Sequence, residues 1–388
     1  MKDGSTFQGY LRDDSRVGVR NHVLVLSSVA CANGVVNAIG RAVPEAKVIV
    51  HPEGCGRGPE DVGVTWRTLS GLGKNPNVAA VLVVGLGCEF ITAPGLAQDI
   101  AGVNKPVEHL VIQDEGGSKK TTKKGIDIVK KLVKHAKSIQ PTACGLDSLT
   151  LGLECGGSDA LSGVTANPLV GRLSEWLVEQ GGTTMLSETT EMIGAEHVLA
   201  RRAATTELGD RIVELVRKQR KLTEDILGDL AHMVISPGNI EGGLTNIAEK
   251  SLGCIIKAGT SPLQEIVEYG APASKKGFVF MDTPGSDVFS LTGMAAGGAQ
   301  IMIFTTGRGT PVGFPIVPVI KVSSNSDIYR KMEDDIDINA GRLLEGDSMD
   351  DLSRELVDFF TRVADGEETK AEANLQDAVS IFTASPPF

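Results

Sequence analysis

The sequence contains few aromatic residues, no excess of basic residues and no long apolar run. Aromatic residues make up 4% of the 388 residues, and 38 basic residues stand against 49 acidic ones. This balance argues against a nucleic-acid-binding protein, which needs Lys and Arg to replace the counterions on phosphates. No apolar run reaches the roughly 18 residues of a membrane-spanning helix, and the first residues lead into no signal-type segment. We therefore expect a cytoplasmic protein that binds neither nucleic acid nor membranes.

The six cysteines include no pair with CxxC spacing, which excludes a local zinc-ribbon or redox motif. In a cytoplasmic protein we expect them to be reduced thiols that serve in packing, metal ligation or catalysis. Glycine, in contrast, is abundant, with 46 residues against a usual share of about 7%. Together with 41% hydrophobic residues, this glycine content is typical of an α/β enzyme with many tight turns between strands and helices.

Short apolar runs alternate with helical patterns along the first third of the chain. The predicted strands there are 23–26, 47–50, 78–84 and 107–112. Continuous apolar strands separated by helices predict a parallel sheet covered on both faces. We expect an α/β fold with an N-terminal parallel Rossmann-like (flavodoxin-like) domain over 1–140 and a second α/β domain, carrying the Gly-rich motif loops, over 145–388. Ligands of such sheets bind beyond the carboxyl ends of the strands.

Three cysteines follow predicted strands of the first region. Cys31, Cys55 and Cys88 each come just past a strand end, and in a parallel sheet these ends share one edge. Thiolates that converge there could hold a soft metal, iron or an iron–sulfur cluster, and Cys155 is a fourth candidate on the same logic. The alternative is that each is a small buried apolar residue. His51, near Cys55, could be a metal ligand or a general base, or it could cap backbone groups.

The densest polar stretch follows a predicted strand that begins at 148. It consists of Glu154-Cys155-Gly156-Gly157-Ser158-Asp159 and continues to Thr165-Ala166-Asn167-Pro168. A strand that leads into a Gly-Gly turn and a helix offers backbone N–H groups to an anion such as a substrate carboxylate. The same residues could also form an ordinary N-cap series. The phosphate-binding pattern GxxxxGK[ST] is absent, and no GxGxxG is placed as the dinucleotide fold requires.

Two later loops carry cationic side chains. Lys250 and Lys257 are seven residues apart, so they share a helix face if one helix runs through both. A desolvated lysine can serve as a base, although a solvated surface lysine is the commoner outcome. Arg308 stands between Gly307 and Gly309 after a predicted strand, and its guanidinium could form a bidentate contact with a carboxylate.

Several long motifs run through nearly the whole chain. They are Gly9-Tyr10-Leu11-Arg12, Arg16-Val17-Gly18-Val19-Arg20-Asn21, Gly85-Leu86-Gly87-Cys88-Glu89, Leu153-Glu154-Cys155-Gly156-Gly157-Ser158-Asp159, Ser162-Gly163-Val164-Thr165-Ala166-Asn167-Pro168, Ser236-Pro237-Gly238-Asn239, Lys250-Ser251-Leu252-Gly253-Cys254, Lys257-Ala258-Gly259 and Thr306-Gly307-Arg308-Gly309-Thr310-Pro311. In this order they resemble the altronate and galactarate dehydratase family of sugar-acid lyases, in particular the large, catalytic-domain part of its altronate branch. Sulfolactate sulfo-lyase large subunits are more distant relatives.

The resemblance implies a hydro-lyase of sugar-acid catabolism. A 2,3-dihydroxy acid such as D-altronate would lose water by β-elimination and give a 2-keto-3-deoxy acid. The implied cofactor is Fe(2+), and whether the site is mononuclear or an iron–sulfur cluster stays open. Longer family members carry an N-terminal small β-rich domain with a His-containing loop at the active site, whereas this chain begins directly at the large domain. We therefore expect a separate small β-rich subunit to complete an oligomeric enzyme.

Residue type and position assign candidate roles in this reaction. A base must remove the proton next to the carboxylate, and a metal or fixed donors must stabilise the aci-carboxylate that forms. We expect Arg308 to hold the substrate carboxylate and one of His51, Lys250 and Lys257 to be the base. The expected polar anchors are Glu154 and Asp159, the expected substrate-binding residues are Ser158, Thr165, Asn167, Asn239, Gly307 and Thr310, and the expected iron ligands are Cys31, Cys55, Cys88 and Cys155.

Other functions remain open at this point. Galactarate dehydration differs only in the substrate, and a (2R)-sulfolactate sulfo-lyase large subunit would use the same proton abstraction with sulfite as the leaving group. A function of another class is a non-catalytic scaffold or ligand-binding subunit that docks a catalytic partner. Product assays separate the two eliminations, and a pure binder would stay inactive in every mixture.

Overall fold

The computed structural model describes residues 6–386 and 388. The strands are β1 (Thr6–Leu11), β2 (Val17–Gly18), β3 (His22–Ser27), β4 (Ala46–Ile49), β5 (Val78–Gly85), β6 (Val107–Val111), β7 (Thr142–Gly145), β8 (Thr150–Cys155), β9 (Thr183–Leu186), β10 (Leu263–Val267), β11 (Gly277–Met281), β12 (Ile301–Thr306), β13 (Val319–Ser323) and β14 (Ile338–Asn339).

Helices connect these strands. The α-helices are α1 (Asn33–Ala42), α2 (Pro59–Lys74), α3 (Ala93–Ala101), α4 (Ser118–Ser138), α5 (Ala166–Glu179), α6 (Glu196–Arg201), α7 (Thr206–Leu227), α8 (Pro237–Glu241), α9 (Ile247–Ile255), α10 (Asp287–Ala296), α11 (Ser326–Lys331), α12 (Met349–Ala364) and α13 (Lys370–Ala373). Short 3₁₀ turns lie at Ala30–Ala32, Leu146–Ser148, Thr189–Met192, Gly228–Val234, Ile256–Ala258 and Ala340–Leu344. No helix in the described part of the chain is long and apolar enough to cross a membrane.

The first parallel sheet has the strand order β4-β3-β5-β6. This is the 2-1-3-4 order with which flavodoxin-like sheets begin, and it confirms the predicted α/β fold. Every residue of β5 is buried, because α1 and α4 cover one face of the sheet while α2 and α3 cover the other. The continuous apolar run at 78–84 is the sequence pattern that this two-sided burial requires.

The second sheet is also parallel and has seven strands in the order β10-β11-β9-β8-β12-β13-β14. The strands β9, β11 and β10 lie on one side of β8, and the later strands β12, β13 and β14 lie on its other side. Between β8 and β12 the strand order therefore reverses, and such a switch point leaves a crevice beyond the carboxyl ends of the strands. In the first sheet the corresponding point lies between β3 and β5.

A small antiparallel sheet, β2-β1-β7, accompanies the two parallel sheets. The strand β7 has only four residues, too few to give a clear strand pattern in the sequence. The proposed division into residues 1–140 and 145–388 stays a prediction.

The two parallel sheets are joined through buried amides at their amino ends. Asn77 donates from Nδ2 to the carbonyl oxygens of Gln300 and Ile316, each at 2.9 Å, and accepts the Val19 N–H at 2.9 Å. Asn77 has no exposed surface, so these bonds satisfy backbone groups that no water reaches. The contact fixes the first sheet, with α2, against α10 of the second.

The chain segment after α13 crosses from the second sheet to the first on the side of the strand carboxyl ends. The Phe382 ring packs on the Tyr269 ring with centroids 5.6 Å apart. Further along, the Asp61 carboxylate accepts the Ala384 N–H at 2.6 Å. The segment therefore holds α2 of the first sheet beside the second sheet.

Candidate active site

Acidic, basic and sulfur-containing side chains meet beyond the carboxyl end of β8. We define the buried charge cluster as Cys155, Glu188, Glu191, Lys250, Cys254 and Lys257. The Cys155 Sγ is 2.9 Å from Glu191 Oε2 and 3.6 Å from Cys254 Sγ. The cluster lies beside the switch point of the seven-stranded sheet, where a ligand is expected.

Two buried ammonium groups balance two buried carboxylates in this cluster. Lys257 donates to Glu188 Oε2 at 2.8 Å, and neither side chain has any exposed surface. Lys250 pairs with Glu191, and 11% of its side chain is exposed. Because α9 continues into the 3₁₀ turn at Ile256–Ala258, both lysines reach the same site from one stretch of helix.

Glu188 has a left-handed backbone conformation, with φ 69° and ψ 65°. This conformation costs a residue other than glycine about 1–3 kcal/mol. Thr283 holds it in place, because its Oγ1 accepts the Glu188 N–H at 2.8 Å and its carbonyl oxygen accepts the Thr189 N–H at 2.9 Å. The Glu188 carboxylate in turn accepts the Cys155 N–H at 3.0 Å, so the strained turn fixes this carboxylate at the end of β8.

Burial and charge separate the pKa values of the acidic groups. Burial, and next the Glu191 carboxylate, raise the pKa of Glu188 to about 7. Burial and the charge of Glu188 raise the pKa of Glu154 well above its usual range. Although burial opposes it, the Lys250 ammonium lowers the pKa of Glu191. These shifts favour the protonated form of Glu154 and the ionised form of Glu191, while Glu188, with a pKa of about 7, is close to half-ionised at neutral pH.

The two lysines remain protonated at neutral pH. Burial opposes the charge of Lys257, but the surrounding sulfur and carboxylate groups raise its pKa well above the usual value. Burial likewise opposes the charge of Lys250, and the Glu191 carboxylate outweighs it and raises the pKa of Lys250. Neither lysine can accept a proton in this state, which argues against the predicted role of a lysine as the base.

Glu154 and Asp287 extend the cluster toward α10. The Ser290 Oγ donates to Glu154 Oε2 at 2.5 Å, while Glu154 Oε1 is buried and has no hydrogen-bond partner. Asp287 stands close to Gly156, where an added Cβ would come within 2.3 Å of its Oδ2, so a larger residue at 156 would displace this carboxylate. Burial, and next the Glu191 carboxylate, raise the pKa of Asp287 to about 6.

Two groups of side chains at this site have the spacing that a metal ion needs. The ligand atoms of Cys155, Glu188, Glu191 and Cys254 lie within 4.8 Å of one another, and so do those of Glu154, Glu188 and Asp287. The structure thus contains acidic and sulfur-containing groups that could hold a metal. The charges of these groups decide whether a metal ion fits among them.

Asp159 anchors the loops around the switch point. Its carboxylate accepts the Ser162 N–H at 2.8 Å, the Ser324 hydroxyl at 2.8 Å and the Asn325 amide at 3.0 Å. A Cβ on Gly307 would lie 2.2 Å from Asp159 Cγ, so the glycine allows the two loops to meet. The hydrogen bonds of the Asp159 carboxylate are thus made to other residues of the protein, and they hold the surrounding loops together.

Arg308 lies at the rim of the same crevice. Its backbone N–H donates to the carbonyl oxygen of Gly157 at 2.9 Å, and Gly157 follows Cys155, the last residue of β8, by two positions in the sequence. Its guanidinium is half-exposed and pairs with the exposed Glu241 at 2.8 Å. An exposed pair of this kind contributes little to stability, so the guanidinium can exchange this partner for another carboxylate.

The other predicted substrate-binding residues connect these loops to one another. Asn239 donates to the Ser158 carbonyl at 2.9 Å, Asn167 to the Gly253 carbonyl at 2.9 Å, and Thr165 to the Ser324 carbonyl at 2.7 Å. The Thr310 hydroxyl accepts the Val312 N–H at 3.2 Å. Each of these residues thus makes a hydrogen bond within the protein. The Asn167 Oδ1 atom is buried without a hydrogen-bond partner.

His51 lies in the first sheet, and its contacts are made there. Its Nε2 is 2.9 Å from the carbonyl oxygen of Ser27, so this nitrogen carries the proton. Burial lowers the pKa of the imidazole, and Nδ1 is buried without a partner. The two predicted lysines belong to the buried charge cluster of the second sheet, and His51 does not join them.

The predicted iron ligands are divided between the two sheets. Cys155 is buried in the second sheet with Cys254, whereas Cys31, Cys55 and Cys88 are exposed at the edge of the first sheet. Partial desolvation, and next the nearby Cys88 and Cys31 sulfur atoms, raise the pKa of Cys55. These three thiols are therefore neighbours, and Cys155 belongs to a different site.

Glu188, Glu191, Cys254 and Asp287 are missing from the residues predicted from the sequence. The two glutamates follow β9 and its turn, at the strand edge where functional side chains are expected. Two of the four residues of β9 are threonines, so this strand does not stand out as an apolar run. Cys254 lies in one of the motifs named above, and only its distance from Cys155 shows that it belongs to the buried charge cluster.

A parallel α/β scaffold with a buried acid–base cluster at its switch point is the architecture of a small-molecule enzyme. Residues 9–137 match the family described as D-galactarate dehydratase/Altronate hydrolase, second domain. Residues 146–386 match D-galactarate/Altronate dehydratase, C-terminal. The chain belongs to the D-galactarate/altronate dehydratase family, which confirms the resemblance.

Curated relatives match nearly the whole chain. An altronate dehydratase of Bacillus subtilis (strain 168) is 36% identical over 397 residues, which cover 98% of this chain and 78% of the relative. A galactarate dehydratase (L-threo-forming) of Escherichia coli (strain K12) is 35% identical, with 99% of this chain and 78% of the relative covered. A (2R)-sulfolactate sulfo-lyase subunit beta of Chromohalobacter salexigens is 34% identical, and 95% of each chain is covered.

The pairing of Lys257 with Glu188 predicts a strong and pH-dependent effect on stability. Replacing Lys257 by Met leaves a buried carboxylate unpaired, which costs about 3–5 kcal/mol of unfolding free energy. The loss of unfolding free energy should grow as the pH rises. In acid the unpaired Glu188 of the variant can become neutral by taking up a proton, whereas in alkali the folded protein must either bury its charge or keep it protonated at a cost in free energy. Denaturant unfolding at several pH values measures it.

Matched variants make this prediction specific. Adding Glu188→Gln to Lys257→Met should recover part of the loss, since it removes the unpaired charge. The control is Lys218→Met, whose exposed pair with Glu214 contributes about 0.5 kcal/mol or less. Equal effects of Lys257→Met and Lys218→Met would contradict the assignment.

Proposed function

We propose that the chain is a carbon–oxygen lyase that dehydrates a sugar acid. Its substrate would be a 2,3-dihydroxy acid such as D-altronate, and its product a 2-keto-3-deoxy acid. The observation that carries this proposal is Glu188, a buried carboxylate with a pKa near 7 that is held in a strained turn beside two ammonium groups. The altronate and galactarate dehydratases among the relatives support the reaction class.

In this proposal Glu188 is the general base. A base works best when its pKa lies near the working pH, and Glu188 meets this condition. The carboxylates and sulfur atoms around the two lysines raise the pKa of both, and His51 makes its contacts in the first sheet, away from this cluster. The Lys257 ammonium, 2.8 Å away, stabilises the ionised carboxylate and keeps it oriented. Glu188 would take the proton from C2 of the substrate, and the electron pair would form the C2–C3 double bond.

Glu154 is the proposed general acid. Burial, and next the Glu188 carboxylate, raise its pKa and favour its protonated form, and one of its carboxylate oxygens lies within 4.8 Å of carboxylate oxygens of Glu188 and Asp287. Its proton would pass to the hydroxyl that leaves C3 and produce water, and the enol would then become the 2-keto acid. A proton shift from Glu188 to Glu154 would restore both groups, so no net proton is gained or lost.

Arg308 is proposed to hold the substrate carboxylate at the rim. Its present partner Glu241 is exposed, and a bidentate contact with a carboxylate is stronger than such a surface pair. Substrate would approach from the side of Lys250 and Asp287, the partly exposed members of the site. The Lys250 ammonium could then stabilise the negative charge that develops on the aci-carboxylate.

Iron, the cofactor that the resemblance implies, does not fit the buried charge cluster as it stands. Two ammonium groups already neutralise Glu188 and Glu191, and burial raises the pKa of Glu154. The hydrogen bond with Cys254, burial, and the neighbouring carboxylates raise the pKa of Cys155. A divalent cation would add positive charge beside both lysines. We therefore derive no step through iron, and we propose that any Fe(2+) is bound at the exposed thiols.

We also propose the setting in which this chain works. One relative is named as subunit beta, which supports a multi-subunit enzyme in which this chain is the large subunit and a small β-rich subunit completes it. Free cysteines suit a reducing, cytoplasmic environment. We keep the division into two α/β domains, residues 1–140 and 145–388, as part of this proposal.

Sulfite elimination from (2R)-sulfolactate is a second candidate function, because the sulfo-lyase relative matches the chain over 95% of both sequences. Proton abstraction by Glu188 would be unchanged, and only the leaving group would differ. A panel of altronate, galactarate, other sugar acids and sulfolactate, assayed for 2-keto acid and for sulfite, distinguishes the two.

Replacing Glu188 by Gln tests the base. The amide cannot take the C2 proton, so dehydration and solvent exchange at C2 should both fall by about 10²–10⁴-fold. The control is Glu268→Gln at an exposed position, which should retain full activity. Undiminished C2 exchange in Glu188→Gln would exclude this residue as the base.

The pKa of Glu188 predicts the pH profile of the reaction. Only the ionised carboxylate accepts a proton, so kcat/KM should rise with pH and level off above a midpoint near 7. Lys257→Arg keeps a cation at the pair and should keep this midpoint, whereas Lys257→Met should move it to higher pH because the cation that favours ionisation is gone. A profile that is flat from acid to neutral pH would count against Glu188.

The proposed small subunit makes a prediction for mixtures. Addition of the small β-rich partner to this chain should switch on dehydration, or raise it strongly, because the partner would complete the substrate pocket. Glu188→Gln mixed with the same partner is the control and should stay inactive. Full activity of the chain alone, with no change on mixing, would contradict the two-subunit arrangement.

A further inference from the structure

Arg202 lies outside the buried charge cluster, and the proposed reaction does not use it. It follows α6 directly, and its backbone carbonyl oxygen accepts the Leu263 N–H, at the start of β10, at 2.9 Å. Its side chain reaches a different element, because Nη2 donates to the carbonyl oxygens of Ala258 at 3.1 Å and of Ser261 at 2.8 Å. One guanidinium therefore ties the connection between α6 and α7 to the chain segment that follows α9.

The segment that follows α9 carries Lys257. The 3₁₀ turn at Ile256–Ala258 continues α9 and ends at Gly259, whose φ is 58°. Carbonyl groups at the end of a helix lack the N–H donors of a following turn. A cation placed there satisfies them and is favoured by the helix dipole. Because Ala258 is the residue after Lys257, the contact with Arg202 fixes the backbone beside the lysine.

The guanidinium of Arg202 is itself held in place. Its Cζ lies 5.1 Å from the centre of the Phe278 ring, which is a cation–π contact with a fully buried side chain. Burial lowers the pKa of Arg202, and the nearby Glu175 carboxylate opposes this shift. The Nε atom is buried without a hydrogen-bond partner, which costs free energy. The side chain is therefore directed at the turn rather than at solvent, even at this cost.

The position of this turn decides whether Lys257 reaches Glu188. The Lys257 Nζ is 2.8 Å from Glu188 Oε2, and neither side chain has any exposed surface. A displacement of the turn by about 1 Å would carry the two atoms beyond hydrogen-bond distance, and close packing leaves the side chain little room to compensate. A second contact holds the same region, since Glu175 Oε1 on α5 accepts the Thr260 N–H at 2.8 Å.

We propose that Arg202 is a positioning residue for Lys257, which holds the 3₁₀ turn so that the Lys257 ammonium stays bound to the Glu188 carboxylate. The positioning follows from these contacts alone, whereas its consequence for catalysis rests on the proposed function of Glu188 as the base. Arg202 binds backbone oxygens and takes no part in proton transfer. Its loss should therefore loosen the Lys257 ammonium without unfolding the sheet.

Hydrogen exchange of the Lys257 ammonium tests the positioning in the absence of substrate. The full chain is labelled with ¹⁵N at lysine side chains, and NMR measures the rate at which the ammonium protons exchange with water. Lys257→Arg identifies the resonance, because it removes this lysine and keeps a cation at the pair. In Arg202→Met and Arg202→Gln the Lys257 protons should exchange about tenfold faster than in the wild type, since the turn opens more often. Circular dichroism checks that each variant is folded.

The Lys250 ammonium is the internal control. Lys250 lies seven residues earlier on the same helical stretch, so its exchange should change much less than that of Lys257. Arg201→Met is the matched control variant, because Arg201 is the exposed neighbour of Arg202, and it should leave both rates unchanged. Arg202→Lys, which keeps a cationic donor, should restore part of the slow exchange. Unchanged exchange of Lys257 in the Met and Gln variants, or an equal acceleration of both lysines, would overturn the proposal.

Steady-state kinetics measure the consequence for catalysis. With the sugar acid that the wild type converts, Arg202→Met should lower kcat about tenfold and leave KM unchanged, because Lys257 orients the base and does not bind substrate. Faster Lys257 exchange with an unchanged kcat would uphold the positioning and contradict the role of Glu188 as the base. A raised KM with an unchanged kcat would instead assign Arg202 to substrate binding and overturn the proposal.

Discussion

The pairing of Glu188 with Lys257, and of Glu191 with Lys250, is the interaction on which the second half of the molecule depends. Buried carboxylates are costly unless they are neutralised, and here two lysines from one short helical stretch neutralise both. This arrangement requires α9 to end beside β8 and β9, and it requires the strained backbone of Glu188 to turn the carboxylate toward Lys257. Folding of the site and its acid–base chemistry therefore share the same contacts.

The two parallel sheets each present functional groups at the point where their strand order reverses. In the seven-stranded sheet this point gathers carboxylates, ammonium groups and buried thiols, while in the four-stranded sheet it gathers exposed thiols. Buried amides join the amino ends of the sheets, and the C-terminal segment crosses between them near the carboxyl ends.

The sequence predicts the scaffold well, because burial on both faces leaves continuous apolar runs such as that of β5. It also predicts that Cys31, Cys55 and Cys88 share an edge, since that follows from strand order alone. It does not predict Glu188 and Glu191, because the short, threonine-containing β9 carries a weak pattern. The sequence also does not predict the charge state of Lys250 and Lys257, because the pKa of a lysine depends on partners that are distant in the chain.

The most direct measurement is the titration of the glutamate carboxylates by NMR of the chain labelled with ¹³C at glutamate side chains. The account predicts one resonance with a midpoint near pH 7 that is absent from Glu188→Gln. If the resonance lost in Glu188→Gln instead titrates near the ordinary glutamate value of about 4.3, Glu188 is fully ionised at neutral pH, and the proton-transfer role assigned to the buried charge cluster is contradicted.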